Sequence, residues 1–207
     1  MTLAERCVPR MGGEKVMANK KKRESDIAFR LMTLTYKFRD LLQNPRKSLA
    51  KAGLRKGMSV VDYGCGPGSF TIPAAELAGQ KGKVFAVDIH PLAIRAVKQK
   101  ASRKGLENVE TVLVEGYDTG IGESSIDRVL LIDTIHLIED PDALFREIHR
   151  MLKPDGLLFM EKGHMPMSQQ KSIVENSGLF TIIEARDLMI VAAPSHSPSA
   201  SRNRNAG

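Results

Sequence analysis

Cysteine is nearly absent from this chain. Cys7 and Cys65 are the only two among 207 residues, too few for a disulfide framework or a four-thiolate zinc site. Neither an oxidising compartment nor a structural metal is called for. No stretch reaches the roughly 18 uncharged apolar residues that a membrane-spanning helix needs, and the segment from Met1 to Met17 lacks the continuous apolar run of a signal peptide. A cytoplasmic location is the default expectation. Internal repeats with periods of roughly 20 to 50 residues are also missing, which sets aside solenoids and propellers.

What is present is ordinary for a globular protein. Apolar residues make up 42% and charged residues 27%, enough to bury a core and too apolar for a disordered chain. The length suits one domain of about 100 to 200 residues rather than two. The net charge of +7 suggests nucleic acid or an anionic surface only if it is spread over the fold, and it is not. Residues 1–24 hold seven basic groups against three acidic ones, Arg202 and Arg204 add two more, and residues 25–193 carry only +1. The basicity belongs to the ends. We therefore expect a basic flexible tail over 1–24, a folded domain over 25–193, and a disordered Ser/Pro/Asn-rich tail over 194–207. Met17, followed by Ala-Asn-Lys-Lys-Lys, offers an alternative start.

Within the domain, helical and strand periodicities alternate. Ile27, Leu31, Leu34, Phe38 and Leu41 form the apolar stripe of an amphipathic helix within 25–43. Met58-Ser-Val-Val-Asp62 predicts a strand, followed by a helix from about Ser69 to Ala78. Lys83 to Val87 predicts a second strand, and Pro91 opens a helix that Gly105 closes. Further strands are expected over 109–114, 127–132 and 157–161, with a helix from Pro141 to Leu152 stopped by Lys153-Pro-Asp-Gly156. Such alternation argues for an α/β fold, a doubly wound parallel sheet with helices on both faces. After a helix near Ser168 to Asn176, the runs Phe180–Glu184 and Leu188–Ala192 are too closely joined to be parallel, so the sheet should end in an antiparallel hairpin.

Ligands bind such sheets outside the carboxyl ends of the strands, where strand order reverses. Here that loop is Asp62-Tyr-Gly-Cys-Gly-Pro-Gly68. Gly64, Gly66 and Gly68 let the chain turn sharply and bring backbone amides against a ligand, while the next helix offers its positive end to an anion. Dinucleotide enzymes want a third glycine where Ser69 stands; the pattern here is Gly-x-Gly-x-Gly. Asp88, 20 residues beyond Gly68 at the tip of the second strand, is placed to accept both hydroxyls of a ribose.

Val-Val-Asp-Tyr-Gly-Cys-Gly-Pro-Gly, Val-Phe-Ala-Val-Asp, Asp-Arg-Val-Leu-Leu-Ile-Asp-Thr-Ile-His and Leu-Lys-Pro-Asp-Gly-Leu-Leu together resemble the class I S-adenosylmethionine-dependent methyltransferases over residues 57–162. The flavour is similar to the small-molecule branch that includes ubiquinone and menaquinone biosynthesis enzymes. The resemblance implies a Rossmann-like seven-stranded sheet of order 3-2-1-4-5-7-6 with the last strand antiparallel. It also implies S-adenosylmethionine as cofactor and S-adenosylhomocysteine as product. It places the methionine end on Gly64, Gly66 and Gly68, with Asp62 organising the loop or the amino group and Tyr63 among the cofactor-binding residues, the ribose on Asp88, and Ile89 and His90 beside the adenine. The loop Glu115-Gly-Tyr-Asp-Thr would meet the adenine edge, although the family often carries Asp where Gly116 stands; Tyr117 and Asp118 are the nearest candidates. Ile132 to Thr134 would lie beside the methionine and face the acceptor.

In-line displacement at an activated methyl mainly needs an acceptor held at about 3 to 3.5 Å with water excluded. A nearby base helps when the acceptor carries a proton. Asp133, His136, Glu161 and His164 lie at or beyond strand ends, so they are candidates, with Asp133 and His136 foremost. His136 sits in Thr-Ile-His-Leu-Ile and equally suits a buried, hydrogen-bonded imidazole. The amino-terminal helix of 25–43 is expected to act as a lid presenting Tyr36 to the acceptor. No metal is expected: the five histidines include no pair three or four apart, and no clustered Asp-Asp-Asn occurs. Asp133-Thr-Ile-His differs from the Asn- or Asp-Pro-Pro-aromatic segment of DNA amine methyltransferases. The leading reading is methyl transfer to a small molecule. The alternatives are a tRNA or protein methyltransferase guided by the tails, a nicotinamide-dependent oxidoreductase, and a cofactor-binding module without catalysis.

Overall fold

Val60 and Val61 are neighbours in sequence and both fully buried, each under a different hydrophobic cluster. A strand whose successive side chains point to opposite faces can do this only in the middle of a covered sheet. The computed structural model of the chain describes residues 6–7, 44–161, 163–186 and 188–195. In chain order its elements are β1 (Arg6–Cys7), α1 (Pro45–Lys51), β2 (Ser59–Tyr63), α2 (Thr71–Ala78), β3 (Lys83–Asp88), α3 (Pro91–Arg103), β4 (Val109–Leu113) and β5 (Ile126–Ile132). A 3₁₀ turn (Ile135–Leu137), α4 (Pro141–Met151), β6 (Leu152–Glu161), α5 (Met167–Asn176), β7 (Phe180–Arg186) and β8 (Met189–Pro194) follow.

The sheet runs β1-β4-β3-β2-β5-β6-β8-β7. Its seven longer strands have the expected order, and β8 is antiparallel to both β6 and β7. Arg6–Cys7, inside the segment read as a tail, adds a short parallel strand beside β4. On one face α1, α2 and α3 cover Val60, Val84, Ala86, Leu130 and Phe159; on the other α4 and α5 cover Val61, Val87, Val129, Leu131, Leu158 and Met160. The strand-order reversal falls between β2 and β5, next to the glycine loop. No helix among the described residues is long and apolar enough to cross a membrane.

Three helices start in the same way. Asn44, His90 and Asp140 each accept a backbone N–H from the first turn, and each is followed by proline at the first helical position. Helix α1 escapes a periodicity reading because only Leu49 of its seven residues is buried; its signal is the Asn44-Pro45 cap. Strand β6 differs from expectation. It begins at Leu152, directly after α4, and Lys153-Pro-Asp-Gly156 is carried as an irregularity between the pairs Ile126 with Leu152 and Arg128 with Leu157. Lys153 Nζ holds this bend by donating to Asp127 Oδ1 at 2.6 Å. The expected helix within 25–43 lies outside the described residues.

One buried acid ties α4 to the loop that borders the sheet's carboxyl edge. Glu147 Oε1 accepts from the backbone and hydroxyl of Thr119, at 3.0 and 2.6 Å, and Arg150 donates to both Glu147 oxygens at 2.7 Å. Removing the carboxylate strands the buried Thr119 N–H, leaves the Thr119 hydroxyl only the Met151 sulfur at 3.1 Å, and takes both side-chain bonds from Arg150. Glu147→Ala is therefore expected to lose about 2 to 4 kcal/mol in urea denaturation and to speed amide exchange at Thr119 and Ile121. Unchanged exchange there would refute the tether.

Candidate active site

The carboxyl end of β2 delivers the chain into a loop almost free of side chains. Gly64, Gly66 and Gly68 have φ of 77°, 50° and 86°, in the left-handed region that L side chains rarely adopt. Space is also short: a Cβ on Gly64 would lie 2.5 Å from the Thr134 methyl, and one on Gly68 3.0 Å from Val97. The backbone N–H groups of Gly64 and Cys65 both donate to Val87 O, at 2.8 and 3.0 Å, which presses the loop against the end of β3. Cys65 is a buried free thiol whose pKa burial pushes up; it fills the loop.

Two carboxylates brace this loop from below and from the side. Asp62, 3% exposed, accepts from the Thr71 hydroxyl at 2.5 Å and so locks the loop's entry to the start of α2. Asp88 Oδ2 accepts from Gly66 N, and its Oδ1 from His90 N, both at 2.8 Å. Each carboxylate oxygen has two acceptor sites, so Asp88 keeps acceptor capacity for a ribose hydroxyl. Burial raises its pKa against the pull of those N–H donors. Next to it Ile89 is 59% exposed, an apolar side chain beside the acid that suits a purine face. The ring of His90 is occupied in capping α3, where its Nδ1 accepts from Leu92 N at 3.2 Å.

The loop after β4 is held rather than free. Tyr63 is buried, and its hydroxyl donates to Tyr117 O at 3.2 Å; the Tyr117 hydroxyl accepts from Asp140 N at 2.9 Å. Both rings are thus engaged in positioning the loop, and burial drives the Tyr63 hydroxyl's pKa upward. Asp118 is exposed and folds back on Gly120 N at 2.9 Å. Gly116 is different in kind. A Cβ there would meet nothing within 4 Å, so its missing side chain leaves an opening beside the loop.

At the end of β5 the backbone turns abruptly. Asp133 has φ +52°, and the Thr134 hydroxyl donates to Ile132 O at 3.0 Å. The 3₁₀ turn then swings His136 back so that its Nδ1 lies 3.6 Å from Asp133 Oδ1. Because β5 and β6 are parallel neighbours with Ile132 paired to Glu161, the segment past β6 arrives at the same level. His164 lies edge-on to His136, with ring centroids 5.1 Å apart. Gly163 is required here, since a Cβ would fall 1.5 Å from Asp133 Oδ1. Asp133, His136 and His164 each offer one ligand atom, and these lie within 4.8 Å of one another. Histidine spacing along the chain misses this group, because pairing of two strands brings it together. Thr71 and Gly163 also lack any sequence signal. Tyr36 lies outside the described residues.

A doubly wound sheet with this strand order, a glycine loop after its central strand and an acid at the tip of the next has the fold of the class I S-adenosylmethionine-dependent methyltransferases. The chain matches the methyltransferase domain family over residues 54–190 and belongs to it. Nocamycin O-methyltransferase of Saccharothrix syringae is 34% identical over 111 residues, which is 54% of this chain and 40% of that protein. Demethylmenaquinone methyltransferase of Geobacillus stearothermophilus is 27% identical over 126 residues, 61% of this chain and 54% of that one. The chain spans about half the length of these curated relatives. A SAM dependent methyltransferase from Aquifex aeolicus has a similar fold, with TM-score 0.67, 24% identity, and coverage of 73% of this chain and 90% of that one.

Asp62 has a measurable signature. Burial pushes its pKa from 3.8 up to about 6, against the Thr71 hydrogen bond and with the help of nearby Asp88. Between these values the folded chain holds a proton that the unfolded chain has released, so Asp62 costs stability progressively as pH rises from about 4 to about 6. The whole effect is about 3 kcal/mol. Asp62→Asn should flatten the fall in urea midpoint across that interval relative to the parent. Parallel pH profiles for the two proteins would contradict the assignment.

Proposed function

We propose that the chain transfers a methyl group from S-adenosylmethionine to a small-molecule acceptor by in-line displacement. The observation that carries this reading is the union of the cradle and the acid: three left-handed glycines leave the β2 loop bare, and Asp88 closes its side through Gly66. The cradle is one that a Cβ would fill, as Gly64 against Thr134 makes clear, so the residues present fit the cofactor. Bound S-adenosylmethionine supplies a methyl group already activated by its sulfonium. The chain's own task is placement.

Asp88 orients the ribose through its remaining lone pairs, Ile89 offers an apolar surface to the adenine, and the bare loop admits the amino-acid end. The backbone of Ile132 to Thr134 borders the methionine, and Asp133 with His136 faces the acceptor. Holding that acceptor in line supplies most of the rate, because positioning removes the entropy of encounter. A small acceptor is supported by two relatives, nocamycin O-methyltransferase and demethylmenaquinone methyltransferase. The near-neutral charge of residues 25–193 supports it too, since binding to nucleic acid depends on basic groups that neutralise phosphates. The cytoplasm is the proposed location.

Calorimetry with S-adenosylhomocysteine tests the cofactor. Asp88→Ala removes acceptors of charge-assisted hydrogen bonds and should weaken binding roughly a hundredfold. Asp142→Ala, in the first turn of α4, should leave it unchanged. Undiminished affinity in Asp88→Ala would overturn the cofactor assignment. Incubation with methyl-labelled cofactor and panels of phenolic and quinol acceptors, tRNA and protein tests the acceptor class. Label passing to tRNA or protein and to no small molecule would overturn that part.

A further inference from the structure

Among the described residues, one cluster of ligand-type side chains remains unexplained by the cofactor cradle. We propose that Asp133, His136 and His164 bind one divalent first-row transition ion, of which zinc is the best fit, at the acceptor end of the site. The donor set is two imidazoles and one carboxylate, which suits zinc and its neighbours; magnesium and calcium favour oxygen ligands alone. Three protein ligands leave a fourth position open, the arrangement of zinc sites that act on a substrate.

The spacing of the donors also suits an ion held between them. Asp133 Oδ1 and His136 Nδ1 are 3.6 Å apart, too far for a hydrogen bond. Two ligands of one tetrahedral zinc at bond lengths of about 2.0 to 2.2 Å stand about 3.4 Å apart, close to what is seen. His136 Nδ1 is shut off from solvent and has no hydrogen-bond partner among the described residues, an arrangement that buried polar atoms avoid unless something else satisfies them. The edge-on ring of His164 brings a second imidazole to the same point, and all three donor atoms already lie within 4.8 Å of one another. Only small side-chain shifts are needed to close the set.

The surrounding backbone is shaped around the carboxylate. Asp133 sits at φ +52°, and Gly163 leaves room where any side chain would collide with Asp133 Oδ1. Unusual backbone of this kind persists where neighbouring structure enforces it, commonly at functional sites. The inference rests on the proposed methyl transfer only for the acceptor's position. An acceptor hydroxyl or thiol taking the open coordination site would release its proton to water, because a bound divalent ion lowers the pKa of its ligand. The resulting anion's lone pair forms the bond to the methyl carbon as the carbon–sulfur bond breaks, its electron pair going to sulfur.

The test uses the full chain without an affinity tag, stripped with chelator and titrated with zinc chloride by calorimetry and with cobalt chloride by visible absorption. One ion per chain and the intense visible bands of tetrahedral cobalt are expected. His164→Ala and His136→Gln should each lose stoichiometric binding, whereas His149→Ala, on α4, should keep it. Circular dichroism and S-adenosylhomocysteine affinity show whether each variant is folded. Absence of stoichiometric binding in the parent, or binding that survives both His136→Gln and His164→Ala, would overturn the metal site. Loss of metal with intact S-adenosylhomocysteine binding implicates the triad alone, and failure of the parent to bind S-adenosylhomocysteine strikes the cofactor reading alone.

Discussion

A loop without side chains cannot hold itself, and the whole site depends on two acids that hold this one, Asp62 buried and Asp88 half-buried. Asp62 fastens the entry of the loop to Thr71 at the head of α2, and Asp88 fastens its middle through the N–H of Gly66. Both carboxyl groups sit at the carboxyl ends of adjacent parallel strands, where burial makes ionisation costly and backbone donors partly offset the cost. The bare backbone is therefore presented as a rigid surface, which is what close approach to a ligand requires.

The sheet converts that local arrangement into a site. Parallel β2, β3 and β5 release their chains on the same edge, so the glycine loop, Asp88 and the turn at Asp133 and Thr134 meet there although they are far apart in sequence. The contact of Gly64 with Thr134 marks how closely the two sides approach. On the outer side, Tyr63, Tyr117 and the Glu147 network hold the loop after β4 in place. Polar side chains here work mainly as tethers, a common use of buried hydrogen-bonding groups.

Much of this was legible beforehand. Alternating apolar runs revealed β2, β3 and β5, and Pro91 and Pro141 marked the starts of α3 and α4. The short separation of β7 from β8 predicted an antiparallel end to the sheet. The failures have physical causes. Helix α1 buries one residue and so carries no stripe. The Lys153-Pro-Asp-Gly156 segment has turn chemistry yet is absorbed into β6 by pairing with β5, since tertiary pairing overrides local preference. The tether in which the Tyr63 hydroxyl reaches Tyr117 O and the Tyr117 hydroxyl meets Asp140 N escapes a window-by-window reading, because its partners are far apart in sequence.

What the sequence alone determined was whatever depends on spacing along the chain: the sheet class, the glycine loop and the acid 20 residues beyond it. Periodicity and turn chemistry are local, and a chain read one window at a time displays them. Only the tertiary structure decided that His164 meets His136 and Asp133, and that Gly163 makes room for a carboxylate. Those neighbours come from two chain segments, and the register of β5 against β6 brings them together. No local pattern encodes that register.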